Sequence, residues 1–175
     1  MALLDFATRK LRYRQLKHTI DSRLDHSTRG KTCLNVGGGY GDAHRLLSEM
    51  GFEMTTCDVD GSCAYCDLNT RLPYADNSFD LVVCLAVLEH LDDWQNGLRE
   101  LKRVAKQLVI ATTPSVYGKP VLDTLAAVRM VNKAHIDDHK YYLTRKDLLD
   151  HGYEHRYFTL FLNQLALLEK ATQET

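Results

Sequence analysis

A cluster of glycines after the first apolar run is the clearest chemical feature of the chain. The run at 32–36 leads into four glycines within the five residues 37–41. Because glycine has no Cβ, such a strand-to-helix turn lets a ligand approach bare backbone. The dinucleotide fingerprint would need a glycine at 42, where Asp42 stands and would repel a pyrophosphate. The pattern favours an adenosine ligand without phosphates; a purely structural tight turn is the alternative.

Two carboxylates follow strand-like segments and could bind the polar parts of such a ligand. Asp58 ends the segment 53–57, and a carboxylate there can accept hydrogen bonds from both hydroxyls of a ribose. A helix cap or turn residue is the other interpretation of Asp58. Asp67 could accept a hydrogen bond from an adenine amino group while Leu68 packs on the ring.

Two histidines are candidates for acid–base chemistry. His90 lies just past the apolar run 79–84, at the end of a strand, and the pKa range of histidine suits a general base. His139 could line the entrance to the same site. For His90, packing or ordering of a helix is the structural alternative.

No metal site is predicted, although two clusters raise the question. The segment 135–139 holds two histidines and two aspartates, but no distant further ligand is identifiable. Cys57, Cys63 and Cys66 include a single C-x-x-C without the second pair that a zinc site would need, so we interpret them as loop thiols, with a redox pair or a metal site as the alternative.

The composition predicts one globular domain over residues 1–175. Hydrophobic residues make up 45% of the chain, and the net charge of -1 gives no case for binding nucleic acid or an anionic membrane. No apolar stretch reaches the length of a membrane span, so stable membrane insertion is not expected. Cys33, Cys57 and Cys84 lie in apolar runs and are expected to be buried, reduced thiols, which favours a cytoplasmic location.

Strand-like and helix-like segments alternate along the chain, which predicts an α/β fold with a mostly parallel sheet and helices on both faces. The sequence ends in an expected antiparallel hairpin. A helical segment at 1–26 and an irregular insert at 115–142 would roof the substrate site, the insert as a lid. Strands are predicted at 32–36, 53–57, 79–84, 107–112, 154–160 and 164–170, and helices at 3–20, 42–50, 87–91, 94–104 and from 144 to Gly152.

Several of these motifs, taken in order, resemble class I S-adenosylmethionine-dependent methyltransferases of the short type that acts on small molecules. The resemblance is strong over about 30–114. It rests on the glycine run with Val36, Asp58, Asp67-Leu68, Leu72 to Val83, Val87 to Leu91, and Glu100 to Val104.

The resemblance implies a Rossmann-like, seven-stranded sheet that binds S-adenosylmethionine and its product S-adenosylhomocysteine. It assigns Asp58 to the ribose and Asp67 with Leu68 to the adenine. The remaining cofactor-binding residues are Asn35, Gly37, Gly38, Gly39, Tyr40, Gly41, Val59 and Leu85. Asn35 replaces the usual acidic residue, and the segment between Asp58 and Asp67 is too short for the usual helix and strand.

We therefore expect methyl transfer to a small-molecule acceptor by in-line displacement at an oxygen or nitrogen, with His90 and His139 as catalytic residues. A non-catalytic subunit that binds the cofactor or its product is the main alternative. A nicotinamide-dependent oxidoreductase is disfavoured by the glycine spacing. A nucleic-acid amino-methyltransferase is disfavoured because its Pro-Pro-aromatic signature is missing after the fourth strand.

Overall fold

The computed structural model describes residues 3–24, 28–118 and 138–171, with side chains from residue 8 onward. They form a seven-stranded sheet in the order β3-β2-β1-β4-β5-β7-β6. The first five strands of that order are parallel, and β7 runs antiparallel to both β5 and β6. The strands are β1 Thr32–Val36, β2 Glu53–Asp58, β3 Ala64–Tyr65, β4 Phe79–Leu85, β5 Ala105–Pro114, β6 Glu154–Phe158 and β7 Asn163–Glu169.

This arrangement confirms the predicted fold, including the antiparallel closing hairpin. The helices are α1 Leu3–Arg23, α2 Asp42–Glu49, α3 Trp94–Val104 and α4 Arg145–Asp150, with a 3₁₀ turn at Leu88–His90. The capping box that begins α4 is also confirmed, because the side chains and backbone N–H groups of Thr144 and Asp147 bond reciprocally. No helix in the described ranges combines the length and apolarity that a bilayer crossing requires.

The central strands are apolar at most positions because both faces of the sheet are covered. In β4, Val82 and Cys84 pack in the cluster that includes α3 and α4, whereas Leu81 and Val83 pack in the cluster with α1 and α2. A strand that is buried on two faces reads as a continuous apolar run rather than an alternating one. This is why the sequence pattern located β1, β4 and β5 directly.

The segment that follows β2 differs from the prediction in two ways. The short segment after Asp58 does form a strand, because Ala64 and Tyr65 pair with Cys57 and Asp58 as β3. The prediction that Cys57 is a reduced thiol and Cys66 a loop thiol is wrong, since a disulfide joins them. Both cysteines are buried, and the bond closes the segment between the two predicted cofactor carboxylates.

The remaining cysteines are free thiols: Cys33 and Cys84 are buried, and Cys63 is partly exposed. Burial raises the pKa of the Cys33 and Cys84 thiols, because it disfavours the thiolate. The disulfide removes part of the support for a reducing compartment, so the cytoplasmic location stays a prediction.

Charged side chains hold the N-terminal helix on the sheet and the loop after β3 on helix α3. Arg23 of α1 pairs with Glu154 of β6 and Glu169 of β7, each at 2.7 Å. Arg103 of α3 donates to Glu100, to Asp76 and to the carbonyl oxygens of Leu72 and Tyr74. The loop that leads into β4 is therefore fixed on α3.

Candidate functional site

The parallel register brings the predicted cofactor residues to one edge of the sheet. Val36 of β1 pairs with Cys57 of β2 on one side and with Cys84 of β4 on the other. The residues that follow these three, Gly37, Asp58 and Leu85, consequently lie side by side at the carboxyl ends of the strands. Ligands of open parallel sheets bind at this edge.

The glycine loop is held closely against the neighbouring strands. Gly37 has φ +71° and Gly39 has φ +48°, a region that favours glycine. The Gly37 N–H donates to the Cys57 carbonyl at 2.8 Å. A Cβ on Gly37 would lie 2.5 Å from Cγ2 of Val87, so no larger residue fits without movement.

The Asn35 side chain forms a hydrogen bond to this loop. That side chain is 1% exposed, and its amide nitrogen donates to the Gly39 carbonyl at 3.1 Å. A carboxylate at this position could not donate that hydrogen bond. The amide therefore shapes the loop, while its contact with a cofactor stays a prediction.

The two predicted cofactor carboxylates both anchor local turns. One Asp58 oxygen accepts from the Val59 N–H at 2.7 Å, and one Asp67 oxygen accepts from the backbone and side chain of Asn69. Leu68 is 3% exposed and belongs to the core, so little of its surface can meet an adenine ring. The ribose and adenine roles of these three residues stay predictions.

The other predicted contacts lie on the surface of the same edge. Tyr40 and Val59 are well exposed, Leu85 is half-buried, and the Tyr40 ring meets the His44 ring edge to face. Exposed apolar side chains beside a glycine loop are suited to covering a ligand. Their contact with the cofactor stays a prediction.

The structure brings His90 and His139 together although 48 residues separate them in the chain. Their ring centroids are 5.1 Å apart. The backbone N–H groups of Lys140 and Tyr141 donate to the Glu89 carbonyl, and His90 Nδ1 lies 3.1 Å from the Asp138 carbonyl oxygen. Because a carbonyl oxygen only accepts, Nδ1 carries the proton when the ring is neutral, and Nε2 then has the lone pair. The Asp138 carboxylate also lies 3.2 Å from Nδ1.

Much of the predicted lid lies outside the described residues, which include its ends 115–118 and 138–142 only. The same holds for His135 and Asp137 of the cluster that was weighed as a metal site. The described end at 138–142 packs on the 3₁₀ turn, where Lys140 pairs with Asp92 at 2.6 Å. His139 is therefore positioned by the turn that also carries His90.

Sequence reasoning missed Glu89 and Arg12 as members of this site. Glu89 is 1% exposed, and its Oε2 has no hydrogen-bond partner among the described residues. Burial raises the pKa of Glu89, an effect that nearby His90 and Arg12 partly oppose. Burial lowers the pKa of Arg12, and Glu89 opposes that shift. A charged residue between Leu88 and His90, in a turn flanked by apolar residues, was the available sequence signal.

Comparisons with known proteins agree with the geometry of this edge. Residues 34–110 match a family model described as a methyltransferase domain. The chain is 31% identical over 140 residues to a demethylmenaquinone methyltransferase of Corynebacterium urealyticum, covering 68% of this chain and 60% of that protein. It is 28% identical over 132 residues to a ubiquinone/menaquinone biosynthesis C-methyltransferase of Klebsiella pneumoniae, covering 62% and 51%. The chain thus spans between half and two thirds of these relatives.

Solved structures share the fold at low sequence identity. Magnesium protoporphyrin IX methyltransferase from Synechocystis PCC 6803, solved with bound S-adenosylhomocysteine, matches with a TM-score of 0.64 at 17% identity, covering 90% of this chain and 81% of that one. An S-adenosylmethionine-dependent methyltransferase from Mesorhizobium loti matches with a TM-score of 0.59 at 15% identity, covering 82% and 93%. Both comparisons support the architecture alone.

Proposed function

We propose that the chain is a class I S-adenosylmethionine-dependent methyltransferase and that it transfers a methyl group from S-adenosylmethionine to a small-molecule acceptor. The observation that carries the proposal is the juxtaposition of Gly37, Asp58 and Leu85 at the strand ends, with His90 beyond β4. An oxygen or nitrogen is the proposed methyl acceptor atom. The name of the Klebsiella pneumoniae relative mentions carbon methylation, and carbon is the competing acceptor atom.

The described residues fit this cofactor. Glycine at 37 and 38 lets the loop pack closely at the strand ends, since any Cβ there would come within 3.0 Å of side-chain atoms of Val87 or Asn35. Asp58 would accept hydrogen bonds from the ribose hydroxyls, and Tyr40 and Val59 would cover the apolar parts of the cofactor. When bound, the cofactor supplies an electrophilic methyl group on a sulfonium that is already a good leaving group.

In this proposal His90 is the general base that removes a proton from the methyl acceptor. The Asp138 carbonyl holds Nδ1–H, which leaves the Nε2 lone pair to accept a proton from a hydroxyl or amine. A phenolic acceptor would need this step for methylation at oxygen, and losing that proton also makes its ring carbons more nucleophilic. His139, beside His90, would orient the acceptor.

A calorimetric titration tests the cofactor assignment. We expect binding of S-adenosylmethionine and S-adenosylhomocysteine and no binding of NAD. Release of S-adenosylhomocysteine with a panel of phenols, hydroquinones and amines then tests turnover. Binding without turnover by any acceptor would favour the alternative, a non-catalytic cofactor-binding subunit, for which the replacement of the usual acid by Asn35 is the supporting observation. Absence of binding by both adenosyl ligands would overturn the proposal.

Asp58→Ala should weaken cofactor binding about 5- to 150-fold. The loss of a charged hydrogen-bond acceptor costs roughly 1–3 kcal/mol. Calorimetry of the variant measures the effect, and Asp150→Asn, at an exposed carboxylate on α4, is the matched control that should bind like the parent. An unchanged affinity in Asp58→Ala would remove this residue from the ribose.

His90→Ala should lower turnover by about a hundredfold while leaving cofactor affinity nearly unchanged, because a general base acts on the acceptor rather than on the cofactor. The measurement is the rate of S-adenosylhomocysteine release under saturating cofactor. His18→Ala, an exposed histidine on α1, serves as control. Equal turnover in the His90 variant and the parent would reduce His90 to a packing residue.

A further inference from the structure

Three metal-ligating side chains converge just beyond β4. Glu89, His90 and His139 each offer one ligand atom, and these three atoms all lie within 4.8 Å of one another. Two imidazoles and one carboxylate on one side of an ion leave its remaining positions open. Such a set suits divalent first-row transition metals rather than magnesium or calcium, which prefer oxygen ligands alone.

Glu89 supplies an independent sign that a ligand is missing. Its side chain is almost completely buried, and Oε2 makes no hydrogen bond of ordinary geometry within the described part of the chain, although the Thr113 hydroxyl lies close enough to favour the charged carboxylate. An unpaired buried carboxylate oxygen is costly, and a bound cation would satisfy it. The neighbouring Arg12 interacts electrostatically with Glu89, and its own Nε is also unpartnered within the same ranges. A cation must therefore compete with Arg12 for the carboxylate.

The ligand positions are fixed by further contacts. His90 Nδ1–H donates to the Asp138 carbonyl, which orients the ring and leaves Nε2 for a metal. His139 Nδ1 lies 3.2 Å from the Tyr142 hydroxyl oxygen. The Lys140 and Tyr141 N–H groups hold this segment on the Glu89 carbonyl. The two imidazole rings are thus positioned before any ion arrives.

We propose that Glu89, His90 and His139 form a binding site for a divalent transition-metal ion at the carboxyl end of β4. The role of the ion rests on the proposed function: it would bind a hydroxyl oxygen of the acceptor beside the methyl group. A cation lowers the pKa of a hydroxyl group that it binds, so the proton leaves to solvent. With the ion bound, His90 is a ligand, and this role replaces that of a base.

Zinc and cobalt binding by the untagged, chelator-treated protein tests the site without any acceptor. We expect one equivalent of Zn²⁺ by calorimetry, and visible absorption bands when Co²⁺ is added. Glu89→Gln and His139→Ala should each weaken Zn²⁺ binding at least about tenfold. His151→Ala, at the residue that caps the C-terminus of α4 and whose Nδ1 contacts the Asp147 carbonyl, should bind Zn²⁺ like the parent.

Absence of Zn²⁺ and Co²⁺ binding would overturn the inference, as would binding that neither Glu89→Gln nor His139→Ala weakens. Should Glu89→Gln fail to fold, His139→Ala decides alone. Calorimetry with S-adenosylmethionine in the metal-free protein separates the two proposals. Cofactor binding without metal binding overturns only the metal site. If the parent binds metal, both variants weaken that binding and the cofactor does not bind, the metal site is supported and the proposed function is overturned.

Discussion

Replacing Arg103 by methionine is expected to lower the free energy of unfolding by about 3 kcal/mol, since it breaks a largely buried ion pair and leaves Glu100 unpaired. The Arg103 and Glu100 side chains are 14% and 10% exposed and meet at 2.7 Å. The guanidinium also holds two carbonyl oxygens of the loop before β4. For a chain of this size the melting temperature should fall by roughly 10 °C, which thermal unfolding measures.

Arg71→Met provides the matched control. Arg71 contacts Asp76, which Arg103 also contacts, but at 3.5 Å and with its side chain 74% exposed. Exposed ion pairs contribute between about 0 and 1 kcal/mol, so this variant should melt close to the parent. Equal losses in both variants would mean that the buried Arg103 pair does not stabilise the loop.

The same ion pair predicts a pH dependence. The hydrogen bond from Arg103 holds the pKa of Glu100 below its ordinary value, so the stabilisation is present above the unfolded-state pKa of about 4.3. It is lost as the pH falls through the lower, folded-state pKa. The unfolding free energy of the parent should therefore decline more steeply below about pH 4 than that of Arg103→Met.

The sheet was predictable from the sequence because its central strands are buried on both faces. The apolar runs at 79–84 and 107–112 correspond to the centres of β4 and β5, and the capping pair Thr144 and Asp147 located the start of α4. These signals are local. Each depends on residues that are neighbours in the chain, so no knowledge of the tertiary structure is needed to interpret them.

The features that sequence reasoning missed depend on contacts between distant segments. The two-residue strand β3 exists because it pairs with the end of β2, and neither Ala64 nor Tyr65 signals a strand by itself. Cys57 pairs with Cys66 although the C-x-x-C pattern drew attention to Cys63. Burial of Arg12 against Glu89 likewise requires α1 to lie over the strand ends.

The site was predictable where a strand end defines it. Gly37 and Asp58 follow paired residues of β1 and β2, so the parallel register alone places them together. The proximity of His139 to His90 could be expected only from the resemblance, because the segment 138–142 is held by backbone contacts to Glu89. Contacts between backbone groups do not depend on the residue type, so no sequence pattern indicates them.

The two departures from the family pattern are matched by structural features of this chain. Asn35, in place of an acid, donates a hydrogen bond that fixes the glycine loop. The shortened segment after Asp58 is closed by β3 and by the Cys57–Cys66 disulfide. Each contact constrains the segment in which the departure lies, while the contribution of these residues to cofactor affinity stays a prediction.

Gly37→Ala should cost about 2 to 5 kcal/mol, divided between stability and cofactor binding. An alanine at φ +71° adds roughly 1–2 kcal/mol of backbone strain, and its Cβ would clash with Cγ2 of Val87 at 2.5 Å, adding about 1–3 kcal/mol. If the loop keeps its shape, the variant unfolds at lower temperature. If the loop shifts to relieve the strain, the same free energy appears as weaker binding of S-adenosylhomocysteine, where each 1.4 kcal/mol is about tenfold.

Two further variants separate the backbone strain from the clash. Gly30 has φ +77° and nothing within 4 Å of a built Cβ, so Gly30→Ala carries the backbone strain alone and should bind the product like the parent. Adding Val87→Ala to Gly37→Ala removes the branched side chain that the new Cβ meets, and we expect part of the loss to be recovered. Thermal unfolding and calorimetry of all three variants measure both quantities. Gly37→Ala and Gly30→Ala share the same kind of backbone strain. If the two variants had the same melting temperature and the same affinity for S-adenosylhomocysteine, close packing of the loop against Val87 would contribute nothing to cofactor binding.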